Sequence, residues 1–135
     1  MEINFAPDVE SELKRIVVFL GLTYIKPANL VAFRSRGSSS RAIARIWSLP
    51  RIWQLALQVE AHYCIEVISE KYDKLSQIEK EKVLIHELLH IPRNFSGALL
   101  PHRQRGRKID RSTVDSWHQK LYNKSINFNI KRIKD

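Results

Sequence analysis

The order of apolar and polar positions predicts an alternation of helices and strands. Val9, Leu13, Ile16, Val17 and Leu20 recur every three or four residues, so residues 8–20 are expected to form an amphipathic helix, capped by Asp8 and closed by Gly21. Two β-like runs follow, residues 30–36 and 41–48. The spacer Gly37-Ser38-Ser39-Ser40 is a turn signal that predicts a hairpin between them. Pro50 is placed to start a short helix through Ile52, Trp53 and Leu57. Residues 62–69 read as a further strand, with Tyr63, Ile65 and Val67 on one face and Cys64, Glu66 and Ile68 on the other. Ser76-Gln77-Ile78-Glu79 is a capping box, and the run from Gln77 to Ile91 lacks Gly and Pro until Pro92 ends it. Ser112-Thr113-Val114-Asp115 predicts the cap of a last helix that buries Val114, Trp117, Leu121 and Tyr122. Ile126-Asn127-Phe128-Asn129-Ile130 alternates, so residues 126–135 are expected to be a short strand or a flexible tail.

These elements define an α+β chain, and its 135 residues suit one domain spanning 1–135. An apolar content of 44% is enough to build a core. The lone cysteine, Cys64, excludes a disulfide framework and a thiolate zinc finger, and is expected to be a small core residue. The chain opens without a basic and then apolar leader and has no run of 18 apolar residues. No membrane span is therefore expected, and the cytoplasm is the expected compartment. The net charge of +9 is uneven: residues 101–135 carry ten Lys and Arg against three acids, and residues 31–59 carry five arginines and no acid. Such blocks attract nucleic acid or acidic protein surfaces.

The chemistry concentrates at His86-Glu87-Leu88-Leu89-His90. Residues four apart share a helix face, so the two imidazoles can converge on one tetrahedral ion, expected to be Zn2+. Glu87 projects beside them and can take a proton from a water on that ion, acting as general base. Five histidines and nine glutamates shuffled over 135 positions would yield this pattern in roughly one chain in a hundred, so context must decide. Here the motif lies on a capped helix beside Val83, Leu84, Ile85 and Ile91, after a strand, as in a minimal zincin-like fold with a small twisted sheet against an active-site helix and one or two others.

Catalytic zinc needs a third protein ligand and an open position. No glutamate follows Glu87, no HxxGxxH extension follows His90, and the only methionine is Met1, which excludes gluzincin and metzincin arrangements. His102, Asp110, Asp115 and His118 remain downstream. His102 is favoured, twelve residues after His90 across the Ser96-Gly97 turn and the Leu100-Pro101 step; His62 is expected to be structural. Tyr63, His118 and Tyr122 are candidates to steady an oxyanion.

The stretch from His86 through Ile91-Pro92, Phe95-Ser96-Gly97 and Pro101-His102-Arg103, with Tyr72-Asp73-Lys74-Leu75-Ser76 before it, resembles the small HExxH metallopeptidases of archaea and phages and, more distantly, the SprT-like zinc peptidases. The resemblance spans residues 25–110. It implies that His86, His90 and His102 bind zinc, with Glu87 as base, in a peptidase acting on a peptide or protein. The substrate would be an added strand, expected beside residues 62–69. Two other functions are consistent with the charge. One is a nucleic-acid-binding or regulatory module with a structural metal, contacting its partner through Arg34, Arg36, Arg41, Arg45, Arg51 and the cluster from Arg103 to Arg111. The other is a peptidase recruited to protein on DNA.

Overall fold

A computed structural model describes residues 1–134. The elements run β1 (Glu2–Phe5), α1 (Pro7–Phe19), a 3-10 turn (Pro27–Asn29), β2 (Leu30–Arg36), β3 (Ala44–Ser48), α2 (Arg51–Leu57), β4 (Tyr63–Ile68), α3 (Ser69–Tyr72), α4 (Gln77–Leu88), β5 (Arg103–Gln104), β6 (Arg107–Lys108) and α5 (Arg111–Lys134). The architecture is α+β, with a mixed four-stranded sheet ordered β1-β2-β4-β3 and a separate two-stranded ribbon, β5-β6. β1 is antiparallel to β2, β2 parallel to β4, and β3 antiparallel to β4.

The register explains the core. Leu30 and Ala32 lie opposite Tyr63 and Ile65, and Ala44 and Ile46 lie opposite Val67 and Ile65, so these side chains share one sheet face. That face meets Val9, Leu13, Ile16 and Val17 of α1 and Leu84, Ile85 and Leu88 of α4, while Leu121 of α5 closes the cluster. The α1 stripe is buried as its periodicity predicts; at about 1.5–3 kcal/mol per large apolar side chain, this packing is what holds the helix. On the opposite face Ile3, Phe5 and Trp47 are exposed, while Glu66 is buried beneath the Trp47 indole N–H (2.9 Å) and the Arg45 guanidinium (3.0 Å). Cys64 is half-buried, and burial pushes its thiol up. Among the described residues, no helix is long and apolar enough to cross a membrane.

Several local expectations are corrected. Asp8 does not cap α1. Pro7 starts that helix after Ala6, and the Asp8 carboxylate instead takes two hydrogen bonds from Arg34, both at 3.0 Å. Residues 37–40 do turn the chain, but β2 and β3 are not a hairpin, because β4 inserts between them. β4 therefore has a strand on each side, and no substrate can add to residues 62–69; the outer edges belong to β1 and β3. α5 is capped by Asp110, which accepts from Thr113 N at 2.9 Å, rather than by Ser112. Residues 126–134 continue α5 instead of forming a strand, with Phe128 packed on Phe19 at 5.6 Å between ring centroids; Asp135 lies outside the described residues. Tyr122 is exposed, and His118 takes the buried place on that helix.

Candidate metal centre

Ser76 caps α4 by accepting from Glu79 N at 3.2 Å, which starts the helix where the capping box predicts. The helix ends at Leu88, three residues earlier than expected. The ring of Pro92 clashes with a helical carbonyl at position 88 and disfavours helical backbone at Ile91, so the last turn tightens. His90 N then donates to Glu87 O at 3.1 Å, and His90 stands in the turn beyond the helix.

The chain next doubles back over the end of α4. Leu100 N donates to His90 O at 2.7 Å, and Nδ1 of His90 donates to Leu100 O at 2.6 Å. A carbonyl can only accept, so that contact places the proton of the neutral His90 ring on Nδ1 and leaves the Nε2 lone pair facing inward. Two side chains anchor the returning segment. The Tyr63 hydroxyl accepts from Gly97 N and donates to Ala98 O, both at 2.8 Å, and Gln54 Nε2 donates to Leu49 O (2.8 Å) and Ser96 O (3.0 Å). Gly97, with φ of +94°, passes so close to Gln54 that a Cβ would lie 2.3 Å from its Nε2.

This return brings His102 to the helix. Nε2 of His86 lies 3.1 Å from Nε2 of His102 and 3.4 Å from Nε2 of His90. Nitrogens at 2.0–2.1 Å from a tetrahedral ion would stand about 3.3 Å apart, so the donor set fits such an ion in spacing as well as in chemistry. These three residues are the group of His, Cys, Asp and Glu side chains among the described residues whose ligand atoms converge closely enough to hold a metal. Burial, then the charges of His90 and His102, push the His86 imidazole down to about 4. Burial likewise lowers His90, with His102 adding to it against the opposing Leu100 hydrogen bond. Unprotonated rings are the ligating form. Glu87, 7% exposed, is pushed up to about 7 by burial.

The remaining candidates lie elsewhere. Asp110 caps α5, Asp115 pairs with Lys82 at 3.0 Å, and His118 pairs with Glu81 at 3.0 Å. His62 Nδ1 contacts Glu60 O at 2.7 Å. As oxyanion groups, Tyr63 is committed to the loop, His118 to Glu81, and Tyr122 stands exposed on α5. Two of the arginines expected to contact nucleic acid are taken up in the fold: Arg34 bridges Asp8 and Asp73, and Arg45 pairs with Glu66. Sequence reasoning missed the Leu100 carbonyl and Gln54. A backbone acceptor leaves no trace in residue identity, and Gln54 reads as an ordinary polar position of a short helix.

The family model described as Putative phage metallopeptidase matches residues 1–121. The chain belongs to this family. The match includes α1, the whole four-stranded sheet and the segment that holds His86, His90 and His102, so the similarity to the phage metallopeptidase family extends beyond the 25–110 stretch that carries the motif resemblance. No curated protein and no solved structure matches the chain. For this phage metallopeptidase family member, the three-histidine cluster is a site able to bind the metal ion that the family description implies.

Proposed function

We propose that the protein is a zinc-dependent peptidase of the cytoplasm that hydrolyses peptide bonds with Glu87 as general base. The observation carrying this reading is the convergence of the His86, His90 and His102 ring nitrogens, with Glu87, the residue next to His86 on α4, buried. Three imidazoles suit zinc rather than calcium or magnesium, which take oxygen ligands, and three protein ligands leave one position for water or substrate. When bound, the ion supplies Lewis acidity that acidifies a water and polarises a carbonyl.

The rest falls to the chain. His86, His90 and His102 would hold the ion, and the Leu100 carbonyl fixes the His90 ring. Glu87 takes the proton from the attacking water and returns it to the leaving amine. Its buried setting favours this transfer, since burial raises the carboxyl to about 7 and a carboxylate stripped of solvent is a stronger base. An extended substrate finds main-chain partners on the free edge of β3, which packs against α4; this replaces the edge expected beside residues 62–69.

The test compares the zinc-loaded protein with its Glu87→Gln variant, measuring zinc content and hydrolysis of casein. Both should hold one zinc per chain, and the variant should lose about a hundredfold or more of the activity. Undiminished hydrolysis by Glu87→Gln would refute the assigned role.

A further inference from the structure

The ion pairs divide the cations of the molecule into two sets. Lys14, Arg15, Lys26, Arg34, Arg45 and Lys82 each face a carboxylate. Among the described side chains, no Lys or Arg from Arg93 to Arg132 forms such an ion pair, and neither do Arg36, Arg41 and Arg51. Arg103, Arg105, Arg107 and Lys108 are four of the six residues of the β5-β6 ribbon, whose first residue follows His102. The next acids in sequence are Asp110, which caps α5 and whose carboxyl is lowered by that cap and by the charge of Lys108, and Asp115, which pairs with Lys82.

The ribbon hangs on the metal site at both ends. Its first strand continues directly from His102, and just beyond its second strand Ile109 N donates to the His102 carbonyl at 2.7 Å. At about 3.3 Å per residue, its tip at Arg105-Gly106 lies within about 10 Å of His102. Arg103, Arg105 and Lys108 are exposed and Arg107 is half-buried. Like charges gathered this closely repel one another, and an anion lying among them relieves that repulsion.

We propose that β5-β6 is an anion-recognising flank of the three-histidine site, selecting polypeptide substrates that carry Asp or Glu two to four residues from the scissile bond. The substrate class rests on the peptidase reading of the site. An extended chain advances about 3.3 Å per residue, so side chains two to four positions away lie about 7–13 Å from that bond, within reach of the ribbon. Arginine matches a carboxylate with two parallel hydrogen bonds, which makes the ribbon selective as well as attractive. A polypeptide is favoured over nucleic acid because the ribbon gathers four cations within six residues beside the site, a span that suits one or two carboxylates, and the ribbon itself carries no aromatic side chain on which a base could stack.

The test uses fluorogenic peptides that differ only in Glu, Gln or Lys at each position flanking the cleaved bond, with the zinc-loaded protein. kcat/KM should be about tenfold higher for Glu than for Gln at one or more positions two to four residues away, and 1 M NaCl should erase most of that preference. Arg105→Glu with Lys108→Glu should invert the preference toward Lys. The milder Arg105→Gln with Lys108→Gln should flatten it, and circular dichroism should report both variants folded. Equal kcat/KM for Glu and Gln in the unaltered protein overturns the proposal.

A second readout separates this failure from failure of the peptidase reading: binding of the same peptides, by fluorescence anisotropy, to zinc-loaded Glu87→Gln. Glu-dependent binding with no cleavage by the unaltered protein keeps the anion site and removes the peptidase. Charge-blind binding removes the anion site. Displacement of the Glu peptide by a 20-nucleotide single strand at lower concentration than by an unlabelled Glu peptide also overturns the proposal, in favour of nucleic acid.

Discussion

Replacing Tyr63 by Phe isolates the contribution of the loop that shapes the metal site. The Tyr63 side chain is fully buried, its ring lies 5.0 Å from that of Phe95, and Phe preserves that packing. What disappears is one hydroxyl that serves both Gly97 N and Ala98 O at 2.8 Å. Gly97 is buried, and its N–H left without a partner costs about 1–3 kcal/mol, whereas Ala98 is exposed and its carbonyl can turn to water, so the predicted loss is about 1–3 kcal/mol. Against a total stability of about 5–15 kcal/mol that is a sizeable fraction, and for a chain of this length it lowers Tm by about 4–10 °C. Urea and thermal unfolding of the metal-free protein, followed by circular dichroism, measure it. The same loop presents the Leu100 carbonyl to His90, so zinc affinity should weaken by about tenfold in parallel. A loss below about 0.5 kcal/mol with unchanged zinc affinity would refute the reasoning, because the loop would then be held without this hydroxyl.

Gly97→Ala should destabilise by more than about 2 kcal/mol, since φ is +94° and the new Cβ would meet Gln54 Nε2 at 2.3 Å and Leu49 O at 2.7 Å. Gly21→Ala, with φ of +64° and open space around it, should cost about 1 kcal/mol; equal costs in urea unfolding would contradict the crowding argument. Stability should also fall in acid. Burial alone would raise the Glu81 carboxyl, but hydrogen bonds from His118 and Arg15 hold it below its ordinary value; the Arg34 hydrogen bonds do the same for Asp8. The unfolded chain therefore binds protons more readily than the folded one. The stabilisation is complete above the ordinary carboxyl range and is lost as pH drops through the lowered folded values, below about pH 4. Glu81→Gln should make the acid limb of a pH–stability curve shallower, and an unchanged limb would remove Glu81 from this account.

The parts of the fold visible in the sequence are those set by local physics. The α1 stripe, the Ser76 cap and the β2 boundaries follow from periodicity and capping, which act within a few residues. Strand partners do not. Gly37-Ser38-Ser39-Ser40 signals that the chain turns, but says nothing of which strand β2 pairs with, and β4, more than twenty residues later, takes the place between β2 and β3. The alternation in β4 marks its two faces but not its neighbours, and the strand lies between β2 and β3 rather than at an edge. Its polar member Glu66 is buried, because Arg45 and Trp47 arrive from the neighbouring strand to satisfy it. In the tail, Ile126, Phe128 and Ile130 fit a period of two over five residues, yet a helix accommodates the same spacing once Phe128 reaches Phe19. At the candidate site, the spacing of His86 and His90 could be read directly. The convergence of His102 depended on a loop whose anchors, Tyr63, Gln54 and the Leu100 carbonyl, come from elements far apart in the chain.

X-ray absorption at the zinc edge of the purified, zinc-loaded protein tests the central claim most directly, because it counts the ligands and identifies their type. Three imidazole nitrogens at about 2.0–2.1 Å with one further light ligand are expected, falling to two imidazoles in His102→Ala. A zinc ion with fewer than two imidazole ligands, or an unchanged spectrum in His102→Ala, would contradict the three-histidine centre.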